Sequence, residues 1–252
     1  MIGSTLALGD ERVAELRTPA PRMTYKQNRI FCFNPIITGI SLLSNILSKN
    51  EVFGRQCYHF LMQRAGFVLV GGGSTRMGTN KALLRLGDET LVESAASKVA
   101  SAIGSVALIG DPDRYRPFGY PVYADRNPGC GPIGGLQTIL SLGLAEWNLL
   151  VACDMPRISG SLLSTLIAKI EGTPAQSACI VPLGPDGPEP LCAIYHATCL
   201  PAVDWAISAR RFKMRDLLFE LNMIPFTPSD SAVFTNVNTP ADWRGVLARI
   251  NE

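Results

Sequence analysis

An apolar run over residues 67–70 leads into three consecutive glycines and then two cations, in the string LVGGGSTRMGTNK at residues 69–81. The run reads as a short buried strand. Glycines without a Cβ let backbone N–H groups come close to an anion that a side chain would hold off. Lys81 closes the same loop and adds positive charge. A strand, a glycine loop and nearby cations are what a nucleoside triphosphate needs. Val70, Gly71, Gly72, Gly73, Ser74 and Lys81 are therefore candidate nucleotide contacts. Arg76 either touches phosphate or braces the loop through its backbone carbonyls. Two standard phosphate loops do not fit. A Walker A loop needs Lys directly after its last glycine, but Gly78 is followed by Thr79. The dinucleotide pattern G-x-G-x-x-G fails because Arg76 stands where its last glycine belongs.

The rest of the chain alternates strand and helix signals. Residues 82–86 read as extended and turn at Gly87-Asp88. Thr90, with Glu93 three positions on, is a capping box for a helix over 91–102. Strands are expected at 105–109, 121–124, 148–152, 178–182 and 191–195. Asp111-Pro-Asp113 reads as a turn, and residues 129–135 as a glycine-rich turn before a helix at 136–144. Ser159 caps a helix at 160–171. Further helices are expected at 197–208, 212–221 and 240–250, the last opened by Pro240. This alternation predicts an α/β fold of three layers, with a mostly parallel, Rossmann-like sheet and helices on both faces. No repeat or linker interrupts residues 65–252, which are read as one domain.

The first 64 residues differ from the rest. Residues 31–47, FCFNPIITGISLLSNIL, are apolar but broken by Asn34, Pro35 and Gly39. A spanning helix needs ~20 apolar residues, and the segment lacks the cleavage site and charged region of a signal peptide. It is a poorly ordered extension, a helical appendage, or the product of a start codon placed upstream of Met62. The expectation is an appendage without a catalytic role.

Composition narrows the function classes. The chain has 252 residues, is 47% hydrophobic and carries a net charge of +2 with both signs dispersed. That gives no concentrated basic face for nucleic acid. Seven cysteines form no C-x-x-C pair, and His59 and His196 cannot supply a zinc site. The cysteines read as small apolar core residues in a reducing compartment, so the expected location is cytoplasmic.

Asp154 follows the apolar strand NLLVAC and precedes Met155-Pro156. A carboxylate at a buried strand end is costly unless it is paired or holds a cation. Magnesium takes one or two carboxylates together with phosphate oxygens and water. Asp154 is thus the candidate Mg²⁺ ligand; the plainer role is to stabilise the next helix. Cys153 beside it has no histidine base and reads as packing.

These landmarks together carry a family resemblance. GGGSTRMGTNK, Asp125, GPIGGL at 131–136, CDMP at 153–156, EPLCAIY at 189–195 and NVNTPADW at 236–243 occur in order. The string resembles the MobA-like nucleotidyltransferases, and among them the molybdenum cofactor guanylyltransferases, over residues 65–252. Asn80 departs from the acidic residue usual before the lysine. The resemblance implies a nucleotide-diphospho-sugar transferase-like fold and a magnesium-dependent transfer of GMP from GTP to molybdenum-molybdopterin. It implies catalytic roles for Lys81, Arg76 and Asp154, and nucleotide contacts from Asp125 and Gly134. GPIGGL either approaches the ribose side or simply starts a helix. Glu189, Asn236 and Asn238 are implied on the acceptor side, where asparagine amides suit a pterin's edge; Asn238 equally suits a helix cap. The basic residues Arg210, Arg211, Lys213 and Arg215 either attract a molybdopterin phosphate or form a cationic surface. A molybdopterin-insertion protein or an apo-molybdoenzyme is the implied protein partner, with no nucleic acid and no membrane. The rivals are a cytidylyltransferase or another small-molecule phosphate nucleotidyltransferase, and a non-catalytic carrier of nucleotide or pterin.

Overall fold

Strand β1, Arg64–Leu69, sits near the middle of the sheet and shows why the chain builds three layers. Its residues alternate between two cores. Val68 faces one and Phe67 and Leu69 face the other, and all three are buried. The period of two in a strand makes this split automatic. A computed structural model describes residues 63–71, 80–174 and 176–250. What was expected of residues 1–62 lies outside the described residues.

Beyond the glycine segment, β2 (Arg85–Leu86) and β3 (Glu89–Thr90) form a small hairpin of their own. Helix α1, Leu91–Ile103, starts at the expected capping box and ends at Gly104 in the left-handed conformation. Strand β4 (Ala107–Ile109), the single turn α2 (Pro112–Tyr115) and strand β5 (Val122–Tyr123) follow. Next come α3 (Pro132–Ser141), β6 (Trp147–Ala152) and α4 (Gly160–Ala168). Strands β7 (Cys179–Gly184), β8 (Gly187–Pro188) and β9 (Cys192–His196) precede helices α5 (Leu200–Ser208) and α6 (Met214–Leu218). The chain closes with β10 (Met223–Phe226) and α7 (Pro240–Ile250).

The main sheet runs in the order β10-β7-β9-β6-β1-β4-β5, with β8 paired to β7. It is mostly parallel: β9 alone on that path runs against its neighbours β6 and β7. Helices α1 and α4 cover one face with Val92, Ala96, Val99, Leu163 and Leu166. Helices α3, α5 and α6 cover the other with Ile133, Leu136, Val203, Ala206 and Leu217. Two glycines let these layers close onto β1. A Cβ on Gly66 would lie 2.4 Å from Val99 of α1, and one on Gly135 of α3 would lie 2.6 Å from Leu69.

The chain goes from β1 to β4 and β5 on one side and then crosses back to β6 on the other. A reversal of strand order opens a crevice beyond the carboxyl ends of the strands. Here that crevice lies between β1 and β6, whose ends are in register at Leu69 and Ala152.

Four local expectations are corrected. The GPIGG turn is already helix, because Pro132 at the first helical position presets the backbone and α3 starts there instead of at 136. Asp111-Pro-Asp113 opens a helical turn that Asp111 caps through the Asp113 N–H. Residues 81–83 form a 3₁₀ turn capped by Asn80, not extended chain. Strand β10 was not expected; Pro225 within it is tolerated because β10 is an edge strand. Among the described residues, no helix is long and apolar enough to cross a membrane.

Candidate active site

The two chain segments that the sequence marks out are physically adjacent. The backbone N–H of Cys153 donates to the Leu69 carbonyl at 3.2 Å, and that of Val70 donates to Ile109 at 3.0 Å. The exit of β1 and the exit of β6 thus open into one cleft. Val70, Gly71, Lys81, Pro132, Asp154 and Leu191 are among its lining residues. Leu191 arrives because β9 runs antiparallel, so its start lies beside the end of β6, and its carbonyl accepts from Ala152 N–H at 2.8 Å.

Lys81 reaches across this cleft. Its Nζ donates to Asn238 Oδ1 at 2.7 Å and lies 3.9 Å from Asp154 Oδ2. The second distance is at the outer limit of an ion pair, so the carboxylate is only partly compensated. Burial pushes the Asp154 carboxyl above its usual value, and the Lys81 charge offsets part of that rise. Its other oxygen, Oδ1, is buried and has no hydrogen-bond partner among the described residues. A buried acceptor left unpaired costs about 1–3 kcal/mol, more for a charged group. A hard cation coordinated there would remove that cost, so the residue fits magnesium. Among the described residues no three His, Cys, Asp or Glu side chains cluster to hold a metal. One carboxylate suits a metal whose other ligands are phosphate oxygens and water.

The loop carrying Asp154 is fixed from two sides. Lys98 of α1 donates to the Pro156 carbonyl at 3.0 Å. Val237 N–H donates to the Asp154 carbonyl at 2.9 Å, which draws the NVN string onto CDMP. Asn238 therefore stands beside Lys81. The capping role weighed for Asn238 belongs to its neighbours: Thr239 accepts from Asp242 N–H, and Asp242 accepts from the N–H groups of Asn238 and Thr239. Among the described residues Asn236 Oδ1, like Asp154 Oδ1, is buried without a hydrogen-bond partner.

Asp125 and Gly134 come together at the start of α3. A Cβ on Gly134 would lie 3.0 Å from Asp125 Oδ1. Asp125 Oδ1 accepts from Asn127 N–H at 3.0 Å and lies 3.5 Å from the Thr138 hydroxyl. Glu189 lies between β8 and β9 and is 7% exposed. Burial pushes its carboxyl up, and Arg215 at 3.8 Å opposes that shift. Arg215 also donates to the Asp186 carbonyl at 2.9 Å, so this member of the basic cluster is committed to the Glu189 corner. Gly72, Gly73, Ser74 and Arg76 lie outside the described residues.

The cysteines behave as apolar filler. Cys153, Cys179, Cys192 and Cys199 are buried and unbridged. Burial, with the Asp154 charge beside it, pushes the Cys153 thiol up to about 12, which removes it as a nucleophile. Sequence reasoning missed Tyr115 and Lys98. Tyr115 is hidden in a string that reads as a turn, and Lys98 is one lysine on an amphipathic helix; neither carries a pattern of its own. The departure at Asn80 was the one visible signal near Tyr115.

The family of the MobA-like NTP transferase domain matches residues 66–223. The probable molybdenum cofactor guanylyltransferase of Carboxydothermus hydrogenoformans is 31% identical over 188 residues, covering 71% of this chain and 93% of the relative. That of Synechococcus elongatus is 33% identical over 192 residues, covering 73% of this chain and 98% of the relative. Among solved structures, the molybdopterin-guanine dinucleotide biosynthesis protein A of Archaeoglobus fulgidus has the same fold. It superposes with a TM-score of 0.64 at 24% identity, over 74% of this chain and 98% of that one.

Proposed function

The chain belongs to the MobA-like NTP transferase family, and from that premise we propose that it transfers GMP from GTP to molybdenum-molybdopterin. One observation carries the reading beyond the family name. Asp154, whose Oδ1 is buried without a hydrogen-bond partner among the described residues, lines the same cleft as Lys81 and the exit of β1.

A phosphate oxygen of the acceptor attacks the α-phosphorus of GTP. A new P–O bond forms, the bond to the β-phosphate oxygen breaks, and pyrophosphate leaves with the electron pair. Such a step needs placement and charge stabilisation more than acid–base chemistry. Lys81 supplies positive charge to the phosphate oxygens. Asn238, holding Lys81 Nζ at 2.7 Å, sets the direction of that ammonium. Asp154 would hold Mg²⁺, which when bound neutralises charge on the phosphates and draws off electron density from the leaving pyrophosphate. Asp125 and Gly134, at the start of α3, serve the nucleoside side. Glu189, backed by Arg215, and Asn236 serve the acceptor side.

Guanine presents O6 as an acceptor and N1–H and N2–H₂ as donors, and a site that pairs them rejects bases that leave its own groups unpaired. Each unsatisfied buried group costs ~1–3 kcal/mol. Pyrophosphate release is measured with GTP, ATP, CTP and UTP in turn, with molybdopterin as acceptor. GTP is expected to lead ATP and CTP by at least about tenfold in kcat/KM. A CTP preference would move the protein to the cytidylyl branch. No release with any triphosphate would leave a carrier of nucleotide or pterin.

A further inference from the structure

The glycine-bearing segment leaves the sheet at Val70 and runs to Asn80, just before Lys81. One buried hydroxyl touches both of these points. Tyr115 Oη donates to the Val70 carbonyl at 2.7 Å and accepts from Asn80 Nδ2 at 2.8 Å. Tyr115 is 2% exposed and is held at the end of α2, where its N–H donates to Asp111. Burial pushes the phenol up, so the oxygen keeps the proton that it donates to Val70.

Asn80 works in two directions. Its Nδ2 serves Tyr115, and its Oδ1 accepts from Ala82 N–H at 3.2 Å, capping the turn that presents Lys81. An amide is the side chain that donates and accepts at once. A carboxylate at position 80 accepts only. The Tyr115 hydroxyl would then have one proton for two acceptors, and either Val70 or residue 80 would lose its bond.

We infer that Asn80 and Tyr115 form a positioning pair, which ties Val70 at the end of β1 to the turn that presents Lys81 and thereby positions the nucleotide. The inference rests on the nucleotidyltransferase reading above. Neither side chain touches a reacting atom. Tyr115 acts on nucleotide affinity through Val70 and Asn80. Asn80 also acts on the step itself through the cap on the Lys81 turn.

Four variants test this: Tyr115→Phe, Asn80→Ala, the double variant and Asn80→Asp. Each is followed by steady-state kinetics, by equilibrium titration with the triphosphate that the wild type binds, and by melting temperature. Tyr115→Phe keeps the ring and should raise KM and Kd for the nucleotide about tenfold, with kcat within about threefold of wild type. Asn80→Ala should raise KM by a similar factor and also lower kcat, because the cap before Lys81 is lost. The double variant should raise KM by clearly less than the product of the two single effects, since the Asn80–Tyr115 bond is already lost in either single variant. Asn80→Asp, though nearly isosteric, should raise KM as well. Unchanged nucleotide affinity in Tyr115→Phe overturns the pair, whether or not its melting temperature falls. So do rises in KM that multiply in the double variant. If the wild type binds none of the four triphosphates, the nucleotidyltransferase reading fails and takes the pair with it. If it binds one and Tyr115→Phe binds that one equally well, the pair alone fails.

Discussion

Two strands are each followed, two residues on, by an aspartate, and the two aspartates are treated in opposite ways. Asp125, beyond β5, has its Oδ1 occupied by its own loop, through Asn127 N–H at 3.0 Å. Asp154, beyond β6, has an Oδ1 that is buried and accepts no hydrogen bond from the described residues. Burial pushes Asp154 away from its ionised form, while Lys81 at 3.9 Å pulls it back only in part. The carboxylate whose lone pairs the protein already uses shapes its loop. The carboxylate that the protein leaves unpaired at a cost to itself is the one kept for a ligand. A locally unfavourable group of this kind concentrates where a site does its chemistry, and it is offset by the rest of the fold.

The largest expected effect is at Asp154. Asp154→Asn keeps the size and removes the charge that holds the metal. Turnover should fall by about a thousandfold or more, roughly 4 kcal/mol, without rescue by added magnesium. The metal-free protein should at the same time melt higher at neutral pH, by roughly 2 °C or more. The sign follows from burial. The folded state holds the Asp154 proton more tightly than the unfolded chain, whose value is near 3.8. Stability therefore falls as pH rises from that value through the raised folded one, and the loss is complete above it. An asparagine does not ionise and escapes that loss. Loss of activity without a gain in metal-free stability would break the comparison.

Lys81→Ala comes next. Losing a charge-assisted contact to phosphate should cost about 2–4 kcal/mol of transition-state stabilisation, roughly thirty- to a thousandfold in kcat/KM, in a protein that stays folded. Wild-type kinetics in that variant would take Lys81 out of the mechanism. Asp125→Asn should have the smallest effect of the three. The amide keeps an acceptor for Asn127 N–H, so nucleotide KM should rise by less than about tenfold and kcat should hold. A collapse at Asp125 equal to that at Asp154 would erase the distinction between the two strand ends.

The sequence makes one half of this contrast legible and hides the other. Asp154 stands out because NLLVAC is too apolar to end casually in a carboxylate, and the structure puts it 3.9 Å from Lys81. The alternating strands and helices give the three layers, since a period of two or of 3.6 is written in the residues themselves. The local use of Asp125 depends on α3 starting at Pro132, and the run GPIGG reads as a turn until tertiary packing shows why its glycines sit in a helix. Gly135 is there so that α3 can approach Leu69, a contact between residues far apart in the chain. The strand β10 escapes notice for the same reason: an edge position, which excuses Pro225, is a property of the sheet and not of the string MIPF. The Lys81–Asn238 bond joins residues from opposite ends of the domain, and no spacing rule announces it.

The most direct test of the central claim is a crystal structure of the protein with GTP and magnesium bound. The account predicts a metal ion ~2.0–2.1 Å from Asp154 Oδ1, sharing oxygens with the triphosphate while Lys81 contacts a phosphate oxygen. Magnesium held elsewhere, with Asp154 Oδ1 still unpartnered and the triphosphate away from Lys81, would contradict it.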